Sequence, residues 1–162
     1  TIEQPFFITK STGKKSELVH QPHENYGIGG SFTLVDGMKG NTSKFGRDWL
    51  GFWGKDMNAT IDLGKTETIS KISINTLSSE GSWIYYPKSI GILVSKDGEN
   101  YIPITIVSSK EIHENKGKIV VKFDKQNVQF IKVIAENNGI IADGKPGAGS
   151  NSWLFVDEIS VE

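Results

Sequence analysis

Four tryptophans and one Asp-Gly loop carry most of the chemistry legible in this 162-residue chain. Trp49, Phe52 and Trp53 cluster around Arg47 and Asp48. Trp83, Tyr85 and Tyr86 sit in a Gly-Ser-Trp-Ile-Tyr-Tyr-Pro segment, and Trp153 follows the glycine-rich run Lys145-Pro-Gly-Ala-Gly-Ser-Asn-Ser152. An indole exposes much apolar area unless it packs or binds something. Core packing is one outcome. The other is a flat platform for the apolar face of a sugar ring, with nearby polar groups taking the hydroxyls. Trp83 and Trp153 favour the platform, because each lies beside a glycine-containing loop rather than inside an alternating run. The second feature is Thr33-Leu-Val-Asp-Gly-Met-Lys-Gly-Asn-Thr42, which gathers a carboxylate, hydroxyls and turn carbonyls. Calcium takes ~6–8 oxygens, many of them main-chain carbonyls. Around Asp36 this segment is a partial calcium cage or an ordinary turn.

Other chemistries find no support. His20 and His23 are spaced i, i+3 across Gln21-Pro22 in a proline loop, with no third ligand at a metal-binding interval, and read as solvated loop histidines. No Gly-x-Ser-x-Gly elbow, phosphate loop or His-Glu-x-x-His is present. Glycosidase chemistry needs two carboxylates facing one bond, and spacing singles out no such pair. Cysteine is absent, which excludes a catalytic thiol, a zinc-thiolate site and a disulfide framework. Eighteen basic against nineteen acidic side chains leave a formal charge of -1. That balance opposes a nucleic-acid binder, which needs a basic face, and makes an anionic-membrane binder less expected. No apolar run is long enough to span a bilayer as a helix. No export signal opens the chain at Thr1, and the abrupt start suggests a domain excised from a longer protein.

The elements that must hold these residues read as strands. Met57, Ala59, Ile61 and Leu63 alternate with polar neighbours up to Gly64; Ile72 and Ile74 do likewise; so do Ile90, Ile92 and Val94 up to the Asp97-Gly98 turn. Ile102, Ile104 and Ile106 follow, with Pro103 marking an edge strand. Ile119, Val121 and Phe123, then Val128 to Ala135, form two more runs. The chain closes with Phe155, Asp157, Ile159 and Val161 on one face and Leu154, Val156, Glu158 and Ser160 on the other. No window of eleven residues holds a helical period. Strands of this length between Gly-rich turns predict an all-β antiparallel sandwich. The first fifty residues are less regular: residues 9–16 read as a loop or linker, and residues 26–44 as glycine-rich loop.

Six segments occur in the order seen in discoidin domains. They are Leu34-Val-Asp-Gly, Trp49, Ile61-Asp-Leu-Gly64, Pro87 through Val94-Ser-Lys-Asp-Gly98-Glu-Asn-Tyr101, Phe130-Ile-Lys-Val-Ile-Ala135 and Val156-Asp-Glu-Ile159. From about Tyr26 to Glu162 the chain resembles this family, also called coagulation-factor type C domains, which includes the family-32 carbohydrate-binding modules. Trp49-Leu-Gly-Phe-Trp-Gly-Lys-Asp56, Gly81-Ser-Trp-Ile-Tyr-Tyr-Pro-Lys88 and Pro146-Gly-Ala-Gly with Trp153-Leu-Phe-Val-Asp-Glu-Ile look most like the C-terminal module of bacterial family-20 glycoside hydrolases, the β-N-acetylhexosaminidases or chitobiases.

The resemblance implies an eight-stranded jelly-roll sandwich over residues 26–162, with 1–25 as linker and lead-in. It implies a structural calcium held by the carbonyls of Thr33 and Met38, the Asp36 carboxylate, Thr42, the Asp157 carbonyl and Glu158. The loop carries one residue more than the family's usual spacing, so Asn41 is an alternative to Thr42. Galactose-binding relatives use a loop arginine, but the matching stretch Leu77-Ser-Ser-Glu-Gly-Ser-Trp83 has none. Galactose specificity does not carry over, and Glu80, Trp83, Asn151 and Trp153 are the substitute site. Membrane-gripping relatives also tie their ends with a disulfide, which is impossible here. The expectation is a non-catalytic carbohydrate-binding module of a secreted, periplasmic or cell-surface hydrolase. Its partners would be a glycan of N-acetylhexosamine or galactose type and the parent catalytic domain. The alternatives are a spacer packed on that domain without sugar affinity, and a small glycosidase.

Overall fold

The computed structural model describes residues 5–43, 45–46 and 48–162; Arg47, grouped with the aromatics above, lies outside them. Seven strands form: β1 (Lys15–Leu18), β2 (Leu50–Trp53), β3 (Met57–Leu77), β4 (Ser89–Ser95), β5 (Tyr101–Ser108), β6 (Lys118–Glu136) and β7 (Trp153–Val161). One short helix, α1 (Ser109–Glu114), leads from β5 towards β6. The strand order is β2-β7-β3-β6-β4-β5, with β1 on β3, and every pairing is antiparallel.

Two long strands make two layers from this single path. Residues 59–62 of β3 pair with β1, and residues 57–62 with residues 130–135 of β6, whose other edge carries β4 and then β5. Further on, β3 pairs with residues 118–128 of β6 on one side and with β7 on the other. The register breaks between Asp62 and Glu67, where the ladder turns the corner. Gly64 adopts a φ of 82° there, a conformation in which a side chain would be strained. The alternating faces then meet in one apolar core, from Ile61, Ile92 and Val133 to Ile74, Ile119 and Ile159.

Among the described residues the implied eight strands are thus seven. Pairs of alternating runs, 57–63 with 72–74 and 119–123 with 128–135, are each one continuous bent strand. Pro103 lies in β5, at the edge as predicted. The stretch 9–16 is more integrated than a linker. Lys15 and Ser16 pair with β3, and Ser11 is buried with its hydroxyl donating to the Ile159 carbonyl at 2.6 Å. The two-face alternation expected of residues 154–161 is interrupted. Asn75 pairs with Asp157 and Ile74 with Ile159, so Glu158 is a bulge residue without a partner, at φ 34°.

One buried side chain joins the segments that carry the tryptophans. The Asn137 amide donates to the carbonyls of Phe52, Lys55 and Ser152 at 3.1–3.4 Å, and its oxygen accepts from Gly139 N–H and the Ser152 hydroxyl. It ties the ends of β2 and β6 to the start of β7. Net hydrogen bonds contribute ~0.5–1.5 kcal/mol each, and orphaned buried partners cost more. Asn137→Ala should therefore lower stability by about 3 kcal/mol, read as a shifted urea midpoint at unchanged slope. An unmoved midpoint would show that the staple contributes nothing.

Candidate functional site

At one end of the sandwich three indoles converge. Trp53 ends β2 and Trp153 begins β7, and the two are register partners with ring centroids 4.9 Å apart. Trp83 follows a 3-10 turn over Glu80–Ser82 and takes a left-handed conformation, φ 63°, its N–H donating to the Glu80 carbonyl. Its own carbonyl accepts from Trp153 N–H at 2.9 Å, and Tyr85 N–H donates to the Trp153 carbonyl at 3.2 Å. These bonds tie the Trp83 segment to the start of β7.

The rings have different surroundings. Trp83 is 39% exposed and lies 6.3 Å from Trp53, nearly parallel at 23°. Gly147, at φ 82°, passes so close that a Cβ there would sit 2.7 Å from the indole. The Tyr85 hydroxyl holds that loop by donating to the Pro146 carbonyl at 2.8 Å. Trp153 is half-buried and closed in by the edges of His23 and Tyr26, both at 5.1 Å, by Phe155 at 6.0 Å and by Trp53. Trp49 is buried, its indole N–H donating to the Asn41 carbonyl. Core packing is therefore realised in Trp49, whereas Trp83 keeps part of its ring in solvent.

Of the polar residues nominated with these rings, Glu80 faces Lys145 across an exposed 3.5 Å ion pair. Asn151 bridges to Ile140, and its amide lies where a Cβ on Gly54, the residue after Trp53, would come within 2.8 Å. His23, read as a solvated loop histidine, packs against Trp153 instead. Its Nδ1 accepts from Asn25 N–H at 3.2 Å, which leaves the proton of the neutral ring on Nε2. His20 is exposed as expected. Trp53, Tyr26, His23 and Lys145 join the site without having been nominated. Only Trp53 had a local signal, its place in the Trp49-Phe52 cluster.

The second constellation lies on β7. Asp157 and Glu158 are buried, yet Asp157 Oδ1 and Glu158 Oε1 meet no hydrogen-bond partner. Their other oxygens accept from one loop: Asp157 Oδ2 from Gly40 N–H, and Glu158 Oε2 from Gly37 N–H at 3.1 Å. Asp36 Oδ1 accepts from Met38 N–H at 2.9 Å in the same loop. Burial, reinforced by Asp36, pushes the Asp157 carboxyl up to about 8. Burial, then Asp36 and Asp157, push Glu158 up to about 9. Burial raises Asp36 as well.

This donor set has the chemistry of a hard-cation site: buried carboxyl oxygens, two of them without partners. Among the described residues no three acidic or histidine side chains close around a common point. The cage that the resemblance implies takes two carboxylates, Asp36 and Glu158, with the carbonyls of Thr33, Met38 and Asp157 and with Thr42. Thr33 is buried in the 3-10 turn Gly30–Val35, its hydroxyl directed at Gly29. Met38 is partly exposed and bridges to Phe6. Thr42 is exposed, and the Asn41 side chain is already engaged by Ser43 N–H and hydroxyl.

No curated protein matches the chain. Among solved structures, the lectin domain of lectinolysin, complexed with Lewis B antigen, superposes with a TM-score of 0.65 at 16% identity, covering 96% of each chain. A Streptococcus pneumoniae fucose-binding module gives 0.65 at 14% identity over 96% of this chain and 98% of its own. Chitosan-binding module 1 of a chitosanase/glucanase from Paenibacillus sp. IK-5 gives 0.60 at 13% identity over 96% and 98%. At such identities the likeness is one of fold. Residues 14–155 match the F5/8 type C domain, and the chain belongs to that family.

Proposed function

We propose that this chain is a non-catalytic carbohydrate-binding module that receives the apolar face of a terminal sugar on Trp83. The observation that carries the reading is one indole, 39% exposed, held rigid between the Gly147 loop and the neighbouring Trp53. A ring already fixed loses little freedom on binding. Glu80, Lys145 and Asn151 supply donors and acceptors for hydroxyls or an acetamido group, and Trp153 buttresses the platform from beneath. Solved neighbours that carry lectin, fucose-binding and chitosan-binding descriptions support the ligand class. We read the parent as a secreted, periplasmic or cell-surface hydrolase of the hexosaminidase or chitobiase type, and the ligand as an N-acetylhexosamine or galactose end group. Solvent-exchanged hydrogen bonds of ~0.5–1.5 kcal/mol each make such binding weak. Tethering to a catalytic domain turns weak binding into local concentration.

The spacer reading draws on a different face. An apolar depression of about 370 Å³ over Gly91, Leu93, Pro103 and Ile106 lies on the β4–β5 side, with Ile106 72% exposed. Silence towards N-acetylglucosamine, N-acetylgalactosamine and galactose in calorimetric titration would favour it. Under the module reading, Trp83→Ala weakens sugar binding by at least about tenfold and leaves the circular dichroism and melting temperature unchanged. Trp153→Ala behaves otherwise: with four rings packed on it, its loss should cost about 3 kcal/mol of stability. Full affinity in the Trp83 variant would end the platform assignment.

Calcium held by the Asp36 and Glu158 carboxylates and the Asp157 carbonyl, with the 33–42 loop completing the cage, is the second part of the proposal. When bound, the ion would neutralise the buried carboxylates and brace the 33–42 loop against β7. Without it, the carboxyls with pKa raised to about 8 and about 9 hold protons in the folded state that the unfolded chain releases near pH ~4. More protons bound when folded means that stability falls as pH rises, here between about 4 and about 9. In chelator the melting temperature should therefore drop across that window. Calcium should raise it most at the alkaline end, and Asp157→Asn with Glu158→Gln should flatten the pH dependence and remove the calcium response. A melting curve indifferent to chelator at pH about 9, where the pair has begun to ionise, would show that the cluster holds no metal.

A further inference from the structure

The outward face of β3 and β6 carries a chemistry that the tryptophan end does not use. Lys71, Ser73 and Asn75 alternate outward on β3, and Lys118, Val120 and Lys122 do so on β6, while Ile72, Ile74 and Ile119 enter the core. In the ladder Lys71 lies opposite Lys122, Ser73 opposite Val120 and Asn75 opposite Lys118. Ser160 of β7 pairs with Ser73 on the other side. Residues 7–9 and Lys39, which rides over the Phe7 ring at 4.7 Å, wall the far edge. The result is a trough of two adjoining depressions, about 490 and 470 Å³, which share Lys39, Asn75 and Lys118. The second adds Lys116 and runs to Ser79. None of Trp53, Trp83 and Trp153 lines either part.

The charge of this trough is opposite in sign to that of the chain. Among the described residues that line it, Lys71, Lys116, Lys118 and Lys122 stand with one acid, Glu162, which pairs with Lys71 at 2.9 Å; the chain as a whole carries -1. Like charges placed directly opposite on a sheet, as Lys71 and Lys122 are, work against pairing. A counter-charged ligand relieves that repulsion. Lys118 and Lys122 stand four residues apart on one strand, roughly 13 Å, so no single small anion reaches both. Between the ammonium groups lie uncharged donors and acceptors, Ser73, Asn75 and Ser160. A matching ligand is extended, with negative groups spaced by hydroxyl-bearing stretches. None of the lining cations is an arginine, the residue best suited to nucleic-acid phosphates. The one tryptophan in the trough, Trp49, is 3% exposed and offers no surface for stacking nucleobases.

We infer that this trough binds an unsulfated polysaccharide chain whose anionic groups are uronic-acid carboxylates, at a site separate from the Trp83 platform. The inference goes beyond the platform reading and survives its failure. The test is affinity electrophoresis of the whole chain in gels containing polygalacturonate near neutral pH, with heparin and duplex DNA gels alongside. Polygalacturonate should retard the chain, and the retardation should fade as salt rises from about 0.02 M to about 0.3 M. Lys118→Gln with Lys122→Gln, both on exposed side chains, should weaken it by about tenfold at unchanged melting temperature, while Trp83→Ala leaves it intact. Four results would overturn the inference: no retardation, equal retardation of the double variant, stronger retention by heparin or DNA, or loss of polygalacturonate binding in the Trp83 variant. The last would move the polymer to the tryptophan end. Loss of neutral-sugar binding alone would strike only the platform.

Discussion

A strand buried on both faces that carries two adjacent carboxyl groups is the constraint around which this domain is arranged. β7 runs between β2 and β3, and Asp157 and Glu158 sit in its middle with less than 2% of their surface exposed. An ionised carboxylate taken from water into such surroundings loses several kcal/mol of solvation even after relaxation. Strict alternation would send the two side chains to opposite faces. The bulge at Glu158, with a φ of 34°, breaks that alternation, and one loop now serves both through Gly37 and Gly40 N–H. A left-handed non-glycine residue costs of order 1 kcal/mol and persists where its surroundings demand it. Here the demand comes from two acids that need the same partner loop.

The tryptophan end answers to the same strand. Trp153 opens β7, and its main chain holds the Trp83 segment while its ring is fenced by His23, Tyr26, Trp53 and Phe155. What reaches solvent is the ring stacked above that fence. Division of labour among the tryptophans follows from burial: Trp49 fills core, Trp153 supports, and Trp83 presents. A glycine at 147 is required because the loop backbone lies where any Cβ would strike the indole.

Much of the fold was written in period-2 alternation, but the continuity of β3 and β6 was not. Gly64 and the polar corner after it read as the end of a strand, whereas the chain bends there and keeps pairing. β1 and β2 are four residues each, too short for alternation to register, and β2 contains a glycine. The six-residue α1 falls below any periodicity window, although Ser108 and Glu111 form the capping box that announces such a helix. At the sites, Trp83 beside a glycine loop and the Asp-Glu pair inside an apolar run were legible as types. Their surroundings were not. His23, Tyr26 and Asn137 reach the site from distant segments, and only tertiary pairing brings them there. The positive trough was invisible for the same reason: its lysines come from three separate stretches of a chain whose charges nearly cancel.

These parts are mechanically joined. The loop whose N–H groups serve Asp157 and Glu158 is also the loop that lends Lys39 and Gly40 to the lysine trough. Just beyond it, the Asn41 carbonyl anchors the Trp49 indole. Asp157 and Glu158 therefore hold, through Gly40 and Gly37 N–H, the loop that forms one wall of the trough. The same strand continues back to Trp153 beneath the platform. The clamp on the 37–40 loop is the link between the acids and the trough. It also explains why the acids are kept at all. An apolar pair in their place would spare the desolvation cost, but it would leave Gly37 and Gly40 N–H without acceptors and the loop without its clamp.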